Sequence, residues 1–362
     1  MFKRFVSAIV VLSFLMVVTL SGCGNANTAP TAANDTKAVQ SEAPKTDEKI
    51  PATDTAAGKK YKIVLMPKLV GIPYFNASEI GAKKAAEDLG VELIYTGPTK
   101  GDAAEQVKIL EDLISKGVDA IAVAPNDPAA LTPVLKKAKE KGILILDWDT
   151  PADQSLVELS VQQIDNTVYA QHIWDSLVKS MGTDEGEYAV LTGGLSAANL
   201  NTWIDAGLKY AKEKYPKLKL VTDKVPTDEK QQVAYQKTLE LLKAYPNIKG
   251  IIGISTPAPL GAAQAVQEKG LQNKVSVVGS GLPTDSKQYL ADGSLDVATL
   301  WDPGKLGYLT IYLAKQKLDK KEVKDGMDVP GVGKITVKSD NKTVIMGPPT
   351  DFTKENADSF KF

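Results

Sequence analysis

The sequence predicts an α/β fold made of two doubly wound α/β lobes joined by a multi-strand hinge. That reading rests on apolar runs that are continuous rather than alternating, on amphipathic segments of helical period between them, and on glycines that close many of those segments. Continuous apolar strands suit a parallel sheet covered on both faces, and a terminal glycine takes the left-handed conformation that ends a helix.

Lys62 to Met66 is the first strand, and a helical period runs from Tyr74 to Leu89, where Gly90 stops it. Val91 to Tyr95 is the second strand, followed through Gly97-Pro98 by a helix from Asp102 to Lys116 that Gly117 closes. The cycle repeats with the strand Ala120 to Ala124, a helix from Ala129 to Lys141, Gly142, and the strand Ile143 to Asp147. Such alternation makes a doubly wound lobe. The chain then starts again: strands at Tyr188 to Thr192, Leu218 to Thr222, Ile251 to Ile254 and Val275 to Gly279 alternate with helices at Asn201 to Tyr215, Asp228 to Ala244 and Pro259 to Lys269. Gly279 to Pro283 and Leu300-Trp301-Asp302-Pro303 read as extended segments returning between lobes. On that pattern the first lobe comprises residues 61–155 and 282–302, and the second 156–281 and 303–362. Two lobes of similar size enclose a cleft, and residues at the carboxyl ends of their strands face it.

Lys68 follows the first strand, with Tyr74 and Phe75 just beyond; they are either a loop lysine with two helix-packing aromatics or ligand contacts. Asp147, Trp148 and Asp149 end the fourth strand, where alternation puts both carboxylates on one side and the indole on the other. A carboxylate accepting hydroxyl hydrogen bonds beside an aromatic face that covers sugar C–H groups suits a small polyol. In the second lobe Asn199-Leu200-Asn201-Thr202-Trp203 opens a helix, with Asn201 read as a cap. Ile254-Ser255-Thr256-Pro257 ends a strand whose free backbone groups can address a ligand, and Trp301 is either hinge packing or a cleft wall.

The hydrophobic fraction of 43% and formal net charge of −1, with lysine and glutamate interspersed, leave no basic stripe of the kind nucleic acid needs. Ahead of the body, Lys3 and Arg4 precede the apolar run Phe5 to Leu20 and then Leu20-Ser21-Gly22-Cys23, which contains the chain's only cysteine. This resembles a bacterial lipoprotein signal, which implies removal of residues 1–22, acylation of Cys23 and tethering to the outer face of the cell membrane. Residues 23–60 have almost no large apolar side chain to bury and read as a disordered tether reaching roughly 30 to 35 Å.

The telling segments of the body are Pro67-Lys68-Leu69-Val70-Gly71, Tyr95-Thr96-Gly97-Pro98-Thr99, Trp148-Asp149 and Trp203-Ile204-Asp205. Through them it resembles the sugar-type periplasmic binding proteins of ABC importers, most closely the autoinducer-2-binding (Lsr-type) and rhamnose-binding receptors. The lysine motif and Gly331 to Lys334 lean toward the former; Gly279 to Pro283 and Asp302-Pro303 with Leu306-Gly307-Tyr308 lean toward the latter. The resemblance implies the type I periplasmic binding protein fold, a small polyol ligand held without cofactor or metal, an ABC permease as partner, and a monomer. It places the family's hydroxyl-binding lysine and aspartate on Lys68 and Asp149 and its aromatic walls on Tyr74, Phe75 and Trp301. Its second-lobe Asp-Gln pair falls on Asn199-Leu200, and two main-chain contacts fall on Ile254 and Thr256. Asp147, Trp148, Trp203 and Asp302 flank these positions and are candidates for the same cleft. Leu200 cannot hydrogen-bond, so an unchanged ligand would lose on the order of 1 to 3 kcal/mol there unless a neighbour replaces the bond.

An enzyme is the rival class. The single histidine, His172, sits within a predicted helix beside Trp174 and Leu177, and the chain has no Gly-x-Ser-x-Gly elbow, phosphate-binding loop or Cys-His metal spacing. A DNA-binding regulator of similar fold would need its helix-turn-helix where the signal segment stands. The expected function is therefore a membrane-anchored receptor for autoinducer-2, with rhamnose or another small sugar as the alternative.

Overall fold

The computed structural model describes residues 60–340 and 342–362; the expected signal segment, Cys23 and the expected tether up to residue 59 lie outside the described residues. β1 (Lys62–Met66) is almost wholly buried, and α1 (Pro73–Leu89) follows with a proline at its start and Gly90 at φ 67° at its end. β2 (Glu92–Tyr95), α2 (Ala103–Lys116), β3 (Ala120–Val123), α3 (Pro128–Glu140) and β4 (Leu144–Trp148) continue the alternation close to the predicted bounds. Asp102 and Asp127 cap α2 and α3 by accepting from backbone N–H groups of their first turns.

β5 (Leu159–Gln162) precedes α4 (Asn166–Met181), β6 (Gly186–Thr192), α5 (Ala198–Lys214), β7 (Leu218–Leu220), β8 (Val225–Pro226), α6 (Gln231–Ala244) and β9 (Ile248–Ile254). Then come α7 (Pro257–Glu268), β10 (Ser276–Ser280), α8 (Pro283–Asp292), β11 (Val297–Leu300), α9 (Pro303–Leu318), β12 (Asp328–Val329), β13 (Gly333–Lys334), β14 (Thr336–Val337), β15 (Thr343–Ile345) and β16 (Thr350–Phe352). One sheet has the order β14-β15-β5-β4-β3-β1-β2 and is parallel except between β14 and β15. The other runs β16-β11-β10-β9-β6-β7, with β8 beside β6, and is parallel except between β11 and β16. Both faces of the first sheet are covered: Ile63 and Leu65 pack with Phe75 and Ala82, and Val64 and Met66 with Leu110 and Leu131. This is why its strands read as continuous apolar runs.

The two sheets correct the expected lobe boundaries. β11, expected in the first lobe within residues 282–302, extends the second sheet beside β10, and α8 packs against α7 of that lobe. α9, expected in the second lobe, lies along α1 of the first, and β15 pairs with β5 of the first sheet. The reason lies in small residues. A Cβ on Gly81 would overlap the Gly304 carbonyl, and one on Gly307 would overlap the Ser78 carbonyl, so only glycine lets α1 and α9 approach so closely. β5, drawn into the second lobe beyond residue 155, likewise belongs to the first sheet beside β4. The chain thus passes between sheets after β5, after β11 and between β15 and β16. A further difference lies at α6, which starts at Gln231 rather than Asp228 because Asp228 and Glu229 both take φ 54°.

Candidate functional site

Residues that leave the carboxyl ends of β1, β4, β9, β10 and β11, together with the start of α5, converge on one cavity, where open parallel sheets present ligand sites. It holds about 370 Å³ of space, its open mouth included. Lys68, Tyr74, Phe75 and Asp149 line it from the first lobe. Asn199, Leu200, Trp203 and Thr256 line it from the second, with Trp301 at the crossing after β11. Outside lies a wider groove between residues 68–72 and 99–101 on one side and 193–197 and 228–230 on the other.

A polar network ties the lobes together at this point. Lys68 Nζ lies 3.4 Å from Asp149 Oδ2 and donates to Asn199 Oδ1 at 3.0 Å. Asn199 Nδ2 donates in turn to the Asp149 main-chain oxygen at 3.2 Å and to Oδ2 at 3.3 Å. Tyr74 donates its hydroxyl proton to Asp149 Oδ1 at 2.8 Å and accepts from Trp301 Nε1 at 3.0 Å. Lys68 and Asp149 are each 4% exposed, so these charges are stabilised by one another and by the hydrogen bonds around them rather than by water. Burial, with the Asp149 charge adding to it, holds the Tyr74 hydroxyl well above its ordinary pKa, and it remains a neutral donor.

Asp149 sits in a turn, not a strand. Its φ is 60°, and the Thr150 N–H bonds back to the Trp148 carbonyl at 2.5 Å. A non-glycine residue there costs local strain, of a kind that concentrates at functional sites. The turn also breaks the expected alternation. Asp147 does not share the cavity with Asp149; it is wholly buried beneath, accepting from Ser160, Gln162, Gln154 and the Ala152 N–H. Burial pushes its carboxyl up to about 7 in spite of those donors.

Three other expected positions also fall outside the lining. Trp148 is a core residue whose ring meets Phe75 edge-on at 5.7 Å and whose Nε1 donates to the Met66 carbonyl. Asp302 caps α9, its Oδ1 accepting from the Gly304 and Lys305 N–H groups. Ile254 is fully buried in β9, and its neighbours Ser255 and Thr256 reach the cavity in its place. Asn201 braces the loop before α5 by donating to the carbonyls of Gly194, Leu195 and Ala197. His172 pairs with Asp351 at 2.7 Å, linking α4 to β16.

The aromatic walls form a continuous edge-to-face set. Tyr74 meets Phe75 at 5.0 Å and Trp301 at 6.3 Å, and Trp301 meets Trp203 at 5.8 Å and Tyr169 at 5.5 Å. Trp301 is therefore hinge packing and cleft wall together, a choice its sequence context leaves open.

Ile72, Glu229, Ser255, Ser280 and Leu300 also line the cavity and were not among the expected contacts. The strand-end rule reaches Ser255, Ser280 and Leu300, each at or just past the last residue of a strand. Glu229 was hidden because its segment carries a helical period; the paired left-handed residues turn it inward instead. Burial raises the Glu229 carboxyl above its ordinary range, with Lys68 opposing, Asp149 adding and the nearby Ser255 hydroxyl opposing. Among the described residues no group of three His, Cys, Asp or Glu is placed to hold a metal ion, and no helix is long and apolar enough to cross a membrane.

The cavity thus offers one ammonium donor, carboxylate acceptors, an amide, free hydroxyls and aromatic cover, a set matched to the hydroxyls and C–H faces of a polyol. LsrB from Clostridium saccharobutylicum in complex with AI-2 superposes with a TM-score of 0.77 at 29% identity, covering 83% of this chain and all of the other. A solute-binding protein from Clostridium phytofermentas with bound L-rhamnose superposes with a TM-score of 0.77 at 31% identity, covering 83% of this chain and 98% of the other. The D-allose-binding periplasmic protein of Escherichia coli is 27% identical over 264 residues, 71% of this chain and 83% of that one. Residues 63–322 match the model of the periplasmic binding protein domain, and the chain belongs to that family.

Proposed function

We propose that this protein is the substrate-binding component of an ABC importer, and that its lobes close over the furanose form of autoinducer-2. The observation that carries the reading is the buried Lys68–Asp149 pair, bridged by Asn199 from the opposite lobe within aromatic walls. Charge-assisted hydrogen bonds from that pair to ligand hydroxyls would supply the polar part of affinity, and Tyr74, Phe75 and Trp301 would cover the ligand's C–H groups. The AI-2 complex, the L-rhamnose complex and the D-allose-binding relative all support a small sugar-like ligand. L-Rhamnose is the second reading, supported by the 31% identity to the rhamnose-bound protein. Both ligands carry one methyl group, which Leu200 and Leu300 can accept as apolar neighbours.

Delivery to a permease requires no bond-making at this site, and the reading assigns no catalytic residue. Acylation of Cys23 and the tether to residue 60 would hold the receptor, as a monomer, at the outer face of the membrane. Membrane fractionation of the native protein against Cys23→Ser tests that part: release of the wild type into the medium would sink it.

Ligand identity is tested by titration calorimetry on protein unfolded and refolded to strip bound ligand, with autoinducer-2 and L-rhamnose side by side. Tight binding of autoinducer-2 alone supports the first reading, and tight rhamnose binding alone establishes the second. Heatless titrations with both would reject each. Chemical conversion of a bound sugar would return the protein to the enzyme class.

A further inference from the structure

Two second-lobe groups in the cavity take no part in the Lys68–Asp149–Asn199 network. Ser255 is 4% exposed and lines the cavity, and beyond the Glu229 carboxyl beside it its Oγ has no hydrogen-bond partner among the described residues. A ligand hydroxyl in the cavity would supply the bond that this hydroxyl lacks. Glu229 stands beside it. Its backbone and that of Asp228 both take φ 54°, a left-handed conformation that glutamate rarely adopts, and its N–H is tied to the Gly193 carbonyl at 3.3 Å. The opposing surface is cut to fit, because a Cβ on Gly193 would run into the Glu229 carboxylate. Strained backbone, a glycine that makes room and a hydroxyl that lacks a bond all serve the same few ångströms of cavity wall.

Most of the remaining second-lobe lining is already committed or inert, and Thr256 stands next to Ser255 on the same wall. Asn199 is engaged with Lys68 and Asp149, Trp203 Nε1 with Asn166 and Ser280 Oγ with the Tyr169 hydroxyl, while Leu200 has nothing to offer. We propose that Glu229 and Ser255 form the second-lobe clamp for ligand hydroxyls, and that together with Asp149 they restrict the cavity to uncharged polyols. The inference rests on the polyol-receptor reading. Lys68 is the one cation among the described lining residues and already faces Asp149, so a sugar acid or sugar phosphate would meet two carboxyl groups with no free counter-charge. Glu229 serves in either protonation state: the carboxylate accepts from hydroxyls, and the carboxylic acid also donates.

The test is calorimetry on the purified protein with a fixed panel: autoinducer-2, L-rhamnose, D-ribose and D-allose as neutral probes, D-gluconate and D-ribose 5-phosphate as anions. Glu229→Ala should weaken the best neutral ligand at least tenfold, the lower end for a hydrogen bond to a charged group, and Glu229→Gln should weaken it less. Ser255→Ala should weaken it in the same direction, and both anions should bind at least tenfold more weakly than the best neutral probe. Glu229→Gln is nearly isosteric and tests the point if Glu229→Ala does not fold, as judged by thermal melting; it should then still give a measurable loss. If the wild type binds a neutral sugar and neither Glu229 variant loses affinity, the clamp is refuted while the receptor reading stands. Anion binding within tenfold of the neutral probe refutes the charge restriction. Binding of no probe would remove the receptor reading and this inference with it.

Discussion

Replacing Asp149 separates recognition from backbone strain, provided the replacement is chosen for its φ of 60°. Alanine is a poor choice, because an L side chain without a local hydrogen bond in the left-handed region costs roughly 1–2 kcal/mol and would lower stability for reasons unrelated to ligand. Glycine deletes the carboxylate without that cost, and asparagine tolerates the conformation while keeping one acceptor. In Asp149→Gly the Tyr74 hydroxyl loses an acceptor at 2.8 Å and Lys68, 4% exposed, loses its ion partner at 3.4 Å. Leaving one member of a buried, hydrogen-bonded charge pair alone costs about 2 to 5 kcal/mol in binding, or roughly 30-fold to several thousandfold in Kd. Asp149→Asn keeps an oxygen for Tyr74 but not the charge, and should lose about 1 to 2 kcal/mol, roughly tenfold. Calorimetry with the best neutral sugar gives the affinities, and thermal melting of the unliganded variants gives the stability control. If Asp149→Gly folds and binds within tenfold of the wild type, Asp149 does not hold the ligand.

Asp147 should behave in the opposite sense, as a stability residue. Burial raises its folded value to about 7 from an ordinary 3.8, so the folded state holds the proton longer and stability falls as pH rises between those values. Asp147→Asn should therefore gain on the wild type from pH 4 to pH 7 in denaturant melts; parallel curves would contradict the assignment. The His172–Asp351 pair gives a second window. Its hydrogen bond to Asp351 raises His172 above 6.5, so that contribution is complete below pH 6.5 and fades as pH rises through the higher folded value. Asp351 is held below 3.8 despite burial, because His172 and Thr299 donate to it, so its share is present above 3.8 and fades as pH falls through the lower folded value. The advantage of wild type over His172→Gln in melting temperature should shrink on raising pH from 6 to 9, and a constant gap would argue against the pair. Gly81→Ala should cost about 1–3 kcal/mol or more in denaturant unfolding, because the new methyl overlaps the Gly304 carbonyl between α1 and α9. An unchanged midpoint would mean that the two helices can move apart freely.

What could be read in advance follows from the range of the interactions involved. Parallel strands and capped helices are written in short windows, so β1 through β4 and their helices emerge at nearly their observed bounds. The lobe assignment of α9 depends on Gly81 and Gly304 meeting across the fold, and no window of sequence contains both. The same distinction runs through the site. Lys68 and Asp149 stand at strand ends, where topology alone points them at the cleft, and the cavity contains both. Asp147 was misplaced because period-two alternation holds only while the backbone remains extended, and the chain leaves that conformation at Asp149. Glu229 was missed for the complementary reason: two consecutive left-handed residues override a helical pattern that looked complete.

Asn199 shows how a departure from a family pattern acquires a physical sense once its neighbours are known. Its Oδ1 accepts from Lys68 and its Nδ2 donates to Asp149 Oδ2 at 3.3 Å, so the amide serves a cation and a carboxylate at once. An aspartate there would keep the first bond but set a second carboxylate against Asp149, and two such groups at that distance do not both ionise freely. Glu229 already adds a carboxyl group to this cavity, and Lys68 is the one cation among its described lining residues. An amide at 199 therefore lets the lobes bond across the cleft without placing a third acid around one ammonium. It also sets what a ligand must do, since closing on a polyol exchanges these interlobe bonds for bonds to hydroxyls and gains only their difference.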